Sequence, residues 1–246
     1  MRPSKLLPKN AFAQCLALVL AACSCPCETP IEMTDDSARI TSARVLWRPD
    51  TGEWQPGETT VRDVKKNVPG FELQFMKSSG QGNQQISSGY YITNGRSTIS
   101  GPREVEHRAD LNYMHAVYNG VTRYSGGASG LELEWFAGLG IADVNVHTTS
   151  TGVAMNTSAS VTGIAGGIEP RWNFNNHVAV ECRFAVALGD GSFVNTDVAL
   201  RYRPFANFAV HGGYAFLSYQ TKSSSDSDPG PNIRLRGPYL GLNFFF

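Results

Sequence analysis

Beyond Pro69 the chain is written in segments of about ten residues or more that alternate apolar and polar positions, separated by turn-forming residues. Eight segments can be placed, at about 71–77, 105–118, 131–146, 160–174, 177–188, 193–203, 207–219 and 233–246. A period of two gives each strand two chemically different faces. No long stretch carries apolar residues at i, i+3, i+4 and i+7, so the pattern predicts an all-β fold.

One face is apolar. It comprises Leu111, Tyr113 and Val117; Leu131, Leu133, Trp135, Leu139 and Ile141; Ile164, Ile168, Trp172 and Phe174; and Val178, Val180, Phe184, Val186 and Leu188. Val194, Val198, Leu200, Tyr202, Phe208, Val210, Tyr214 and Phe216 continue it, and Leu240, Leu242, Phe244 and Phe246 end it. The opposite face carries Glu106, Arg108, Asp110, Glu132, Glu134, Glu169, Arg171, Glu181, Arg183, Asp197, Arg201, Arg203 and His211 among small residues. This is how an antiparallel transmembrane β-barrel of eight strands reads, with the charged set lining the lumen. A one-residue slip exchanges the faces. It would move five arginines into lipid at roughly 2 to 4 kcal/mol each near the midplane, on the order of 10 to 20 kcal/mol in total.

Connection lengths agree with that topology. With the C-terminus in the periplasm, the short turns at 175–176 and 204–206 fall inside, and the long stretches 78–104 and 220–232 fall outside. Tyr113, Trp135, Trp172, Phe174, Tyr202, Phe208, Phe244 and Phe246 then gather near the inner ends of their strands, as an interfacial girdle does. Pro170 and Pro238 fall inside expected strands and demand a bulge or an unpaired edge.

The amino-terminal segment follows other rules. Arg2, Lys5 and Lys9 precede a mostly apolar run from Ala11 to Leu20, too short for a spanning helix, and small residues follow. Residues 1–22 therefore read as a secretory signal, and Leu20-Ala21-Ala22-Cys23 resembles the lipobox of bacterial lipoproteins, which implies a lipid on Cys23. Cys25 and Cys27 complete a C-x-C-x-C run with no histidine cluster nearby, so no metal site is expected, and the two either pair or stay idle. Residues 23–68 read as a tether or periplasmic lead-in and 69–246 as the barrel, with only Ile40 to Trp47 of the lead-in dense enough in β-formers to suggest a strand, which could add to the barrel.

Composition narrows the function classes. Lys plus Arg and Asp plus Glu stand at 21 each, and removal of Arg2, Lys5 and Lys9 leaves 18 basic residues against 21 acidic. A near-neutral chain without a basic patch does not suit nucleic acid.

The closing Tyr239-Leu240-Gly241-Leu242-Asn243-Phe244-Phe245-Phe246 resembles the C-terminal signature of outer-membrane barrels. The stretches from Arg171 to Glu181 and from Leu200 to Phe208 are similar to strand-turn-strand units of the outer-membrane protein A and X type. That resemblance implies an outer-membrane location, lipids and the barrel-assembly machinery as partners, and an assembly signal on Leu240, Leu242, Phe244 and Phe246.

A catalytic alternative needs a nucleophile with a base and an orienting acid. Small barrels that edit lipid A place such a set at the outer rim, where His107, His147, Ser150 and Asp143 are the candidates, but no G-x-S-x-G elbow is present. A narrow pore lined by the interior charges is a second alternative, although eight strands leave little room inside. A soluble lipocalin-like barrel would keep its apolar face inside. The expectation is a non-enzymatic outer-membrane barrel without cofactor, serving envelope integrity or presenting its outer loops.

Overall fold

The structure, a computed structural model, describes residues 31–33, 38–47, 68–89, 91–93, 97–123, 130–221 and 232–246. The signal segment, Cys23, Cys25 and Cys27 lie outside the described residues. Among the described residues there is no helix, and so none long and apolar enough to cross a membrane.

The strands are β1 (Ile31–Met33), β2 (Arg39–Trp47), β3 (Val68–Ile86), β4 (Tyr91–Thr93), β5 (Thr98–Ser100) and β6 (Arg103–Arg123). They continue as β7 (Gly130–Ser150), β8 (Val153–Asn173), β9 (Val178–Gly189), β10 (Gly191–Phe205), β11 (Phe208–Thr221) and β12 (Asn232–Phe245). From β12 back through β11, β10, β9, β8, β7, β6 and β3 to β2, each strand pairs antiparallel with the next. β2 then pairs with β12 and closes the sheet into a ring of nine strands. The closing pair is parallel, matching Ile40 with Tyr239 and Leu46 with Phe245.

The expected eight strands thus become nine, because the segment read as a lead-in contributes β2 to the ring and β1 beside β12. In β2, Ile40, Ser42, Arg44 and Leu46 turn inward and are buried, a half-buried alternation that an isolated nine-residue strand shows only weakly. Both prolines fall where one neighbour does not pair. The β8–β9 register passes from Ile168 opposite Phe184 to Arg171 opposite Glu181 without matching Pro170. Pro238 sits between Leu235, the last residue of β12 matched to β1, and Tyr239, the first matched to β2.

Outside, β7 and β12 each show an apolar run that turns polar at the same end. On β7, Leu131, Leu133, Trp135, Leu139 and Ile141 give way to Asp143, Asn145 and His147. On β12, Phe244, Leu242, Leu240 and Pro238 give way to Arg236 and Arg234. Leu139 is 67% exposed, Ile164 70%, Leu188 57% and Leu240 57%, so a belt of large apolar side chains encircles the ring. Aromatic residues edge it at the end where Phe246 lies: Trp47 is 5.8 Å from Phe71, Tyr118 5.9 Å from Trp135 and Phe208 5.5 Å from Phe244.

β6 corrects the expected register. Leu111, Tyr113 and Val117 are buried inside the ring, and Tyr113 lies 4.3 Å from Phe193 of β10, so it is not part of the girdle. Glu106, Arg108 and Asp110 point outward, with the Arg108 side chain 66% exposed and donating to Glu106. The physical reason is length. β6, β7 and β8 have 21 residues each, about twice a span, and their charged outward positions lie beyond the belt, where exposure carries no lipid penalty.

The interior has two halves. Towards the Asn232 end it is apolar, filled by Leu111, Tyr113, Val144, Phe193, Leu217 and Ile233 with many alanines. Above it β4 and β5 form a hairpin whose Ile99 packs on Ile86, Val105 and Met155 of the long strands. Towards the Phe246 end the interior is ionic.

Candidate functional site

The ionic half is assembled from β2, β3, β6, β7, β8, β9, β10 and β11, strands whose inward positions meet only because the ring closes. Arg44 of β2 donates from Nη2 to Glu72 Oε2 at 2.8 Å and lies 2.8 Å, through Nη1, from Glu169 Oε2 on β8. Arg183 of β9 bridges the same two carboxylates, at 2.7 Å to Glu169 and 2.6 Å to Glu72. Its guanidinium also stacks 4.1 Å above the Phe136 ring. His115 Nε2 donates to Glu72 at 2.9 Å, and its Nδ1 shares a 3.0 Å hydrogen bond with the Tyr113 hydroxyl.

Arg171 holds a second group. It donates to Glu169 and Glu181, contacts Glu134 at 3.5 Å, and reaches Glu132 at 3.2 Å. Glu181 accepts from His211 Nδ1 at 2.8 Å and lies 3.8 Å from Arg201 Nε. Asn119 donates to Glu134 at 2.9 Å, and Asn195 donates to Asp197 at 3.2 Å. Glu72, Glu169, Glu134, Glu181, Arg44 and Arg183 have side chains at most 2% exposed. Buried charge is tolerated when each ion has partners of opposite sign, and here one carboxylate commonly serves two or three guanidinium groups.

Of the sequence-predicted interior charges, Glu132, Glu134, Glu169, Arg171, Glu181, Arg183 and Arg201 meet in this cluster, and Asp197 is buried beside it. Arg203 does not join them. The β10–β11 register shifts between Tyr202 and Phe205, and the Arg203 side chain turns to the Ala206 carbonyl and the Phe245 ring. Arg44, Glu72 and His115 were missed. Arg44 lay in the supposed lead-in, Glu72 in a short strand whose residues were assigned to neither face, and His115 on the face of β6 assigned outward.

The rim candidates do not come together. His107 is buried on the inner face, sharing a 2.8 Å hydrogen bond with Thr148. His147 and Asp143 point outward, His147 bonding Asn156, while Ser150 donates to the Glu104 carbonyl at 3.0 Å. Among the described residues no group of three or more His, Cys, Asp or Glu has metal-binding geometry. Cys182 is a free, half-buried thiol on the outward face of β9. Leu240 and Leu242 face outward in the belt, Phe244 is half-buried, and Phe246 follows the end of β12.

The arrangement can hold the shape of the ring through ion pairs that join its strands. Fold and site together define an all-β ring with an apolar outer belt and a paired ionic interior. In comparisons with known proteins, no family model, no curated protein and no solved structure matches the chain.

Proposed function

We propose that the protein is a non-enzymatic β-barrel lipoprotein of the bacterial outer membrane that presents its outer loops or contributes to envelope integrity. The belt carries this reading. Large apolar side chains exposed around a closed ring expose far more contiguous apolar surface than a water-soluble domain does. The apolar run on β7, Leu131 to Ile141, is eleven residues, the length of a tilted membrane strand. Polar outward residues begin at one end of β7 and β12, and aromatic residues mark the other, which is the profile of a bilayer-spanning barrel.

The end where β6, β7 and β8 run on past the belt is the outer one in this reading. There the edge of β8 from 153 to 162 has no strand partner among the described residues, and the segments 87–102 and 222–231 join strands at that rim. This favours presentation at the surface. The interior, filled by hydrocarbon above and ion pairs below, speaks against a pore. The outward and inward orientations of His147 and His107 speak against a hydrolase.

Membrane extraction with a gel-shift assay tests the proposal. The protein should require detergent, and unheated samples should migrate apart from boiled ones. A chain that stays soluble without detergent and shows no heat shift overturns it. Unaltered lipid A acyl patterns in cells with and without the protein are expected, and a changed pattern would replace the non-enzymatic half.

A further inference from the structure

In a ring of eight antiparallel strands the chain enters and leaves at the same face. Here it does not. β2 runs parallel to β12, so the chain enters the ring at the Asn232 end and leaves it at Phe246. β1 also runs parallel to β12, with Ile31 opposite Ile233, beyond the outward-facing Arg236 that marks the belt's edge.

Resting on the outer-membrane reading, we propose that the mature amino terminus is displayed on the cell-surface face, opposite the C-terminus, so that a lipid on Cys23 is held in the outer leaflet. The reach of the chain supports this. Eight residue steps separate Cys23 from Ile31, at most about 29 Å when fully extended. A return to the periplasmic leaflet would use all of that length to cross a hydrocarbon core about 30 Å thick. It would also carry unpaired backbone and Glu28 through lipid, where each unsatisfied group is costly. The interior offers no detour, because Phe193, Leu217 and Ile233 fill one half and the Arg44 cluster the other. The consequence is an anchor on the side away from that expected of a periplasmic tether.

The test places one small epitope in the full chain between Cys27 and Glu28, and reference epitopes in separate chains within 124–129 and within 222–231. Antibody binding is compared on intact and permeabilised cells of a Gram-negative host. The reference at 222–231 should label intact cells and the one at 124–129 only permeabilised cells. The amino-terminal epitope should follow 222–231, with at least about tenfold more label on intact cells than the 124–129 chain gives. Labelling that follows 124–129 overturns the inference while the membrane reading stands. If both reference epitopes behave alike, the membrane reading falls and the inference with it. A glutamate-specific protease gives an untagged check, since cleavage after Glu28 in intact cells is expected and its restriction to permeabilised cells overturns the inference.

Discussion

Replacing Glu169 by glutamine tests whether the interior cluster acts as one electrostatic unit. Glu169 Oε2 lies 2.8 Å from Arg44 Nη1 and 2.7 Å from Arg183 Nη1, and its other oxygen accepts from Arg171. At an effective dielectric of about 20, each contact near 2.8 Å carries about 6 kcal/mol of gross attraction. Desolvation of the carboxylate and repulsion among the three guanidinium groups offset most of it. Removing one partner of a buried pair costs about 3 to 5 kcal/mol, and Glu169→Gln belongs at the lower end because the amide oxygen still accepts. In the double variant with Arg183→Met, one charge of each sign leaves, so the loss should be less than the sum of the two single losses by about 1 to 3 kcal/mol. Urea unfolding in lipid vesicles, followed by tryptophan fluorescence, measures all three. Additive losses, or a Glu169→Gln cost under about 1 kcal/mol, would mean that the charges are solvated individually and the cluster is not a unit.

Other perturbations probe separate parts of the ring. Gly241 faces His211, where an added Cβ would lie 2.0 Å from Nε2. Gly241→Ala should therefore cost about 1 to 3 kcal/mol in the same unfolding assay, and that increment should largely vanish when it is measured in a His211→Ala background, where the space is open. Leu139→Arg, in the belt, should cost about 2 to 4 kcal/mol, whereas Asn145→Arg on the same face beyond it should stay within about 0.5 kcal/mol; equal effects would remove the belt's meaning. Burial pushes His107, which lies beyond the belt, down from 6.5 to about 4. The fold holds it neutral while the unfolded chain protonates it, so its contribution is complete above pH 6.5 and is lost as pH falls towards 4. Stability should drop by about 2 kcal/mol more between pH 7.5 and 5 in the wild type than in His107→Phe. Arg44→Met should loosen the closing pair, seen as a lower yield of the disulfide between cysteines placed at Thr41 and Leu240, which face each other across it; an undiminished yield would deny Arg44 that part.

The alternation from β7 to β12 was legible because at belt height the outward positions of these strands are mostly apolar and the charged positions face inward. β6 misled for a physical reason. Beyond the belt both faces of a strand are free of lipid, so Glu106, Arg108 and Asp110 mark water outside, while Leu111 and Tyr113 fill the apolar half of the interior. The cluster was legible in its β7 to β10 members, whose charges stand at alternate positions within apolar strands. Its Arg44 and Glu72 members were not, since nothing local signals that a segment rich in polar residues returns to close a ring through pairing with a strand nearly 200 residues away.

Closure explains why so much charge is buried. The β12–β2 seam is parallel and matches residues Tyr239 to Phe245 only, while β11 and β12 match from Phe208 to Gln220. Parallel pairing is slightly weaker per residue, and a short pair is weaker still. Side chains supply what the ladder lacks. Ser42 of β2 bonds the Tyr239 hydroxyl of β12 at 2.7 Å, Trp47 stacks on Phe246 at 6.2 Å, and Arg44 reaches past β3 to Glu169 on the far wall. An apolar residue at position 44 would pack against any neighbour. The Arg44 guanidinium meets Glu72 and Glu169 only while it faces inward, and a shift of β2 by one residue turns it outward and leaves Arg183 alone to bridge the two carboxylates. Buried ion pairs add little net stability, but those of Arg44 penalise a closure in which β2 slips by one residue.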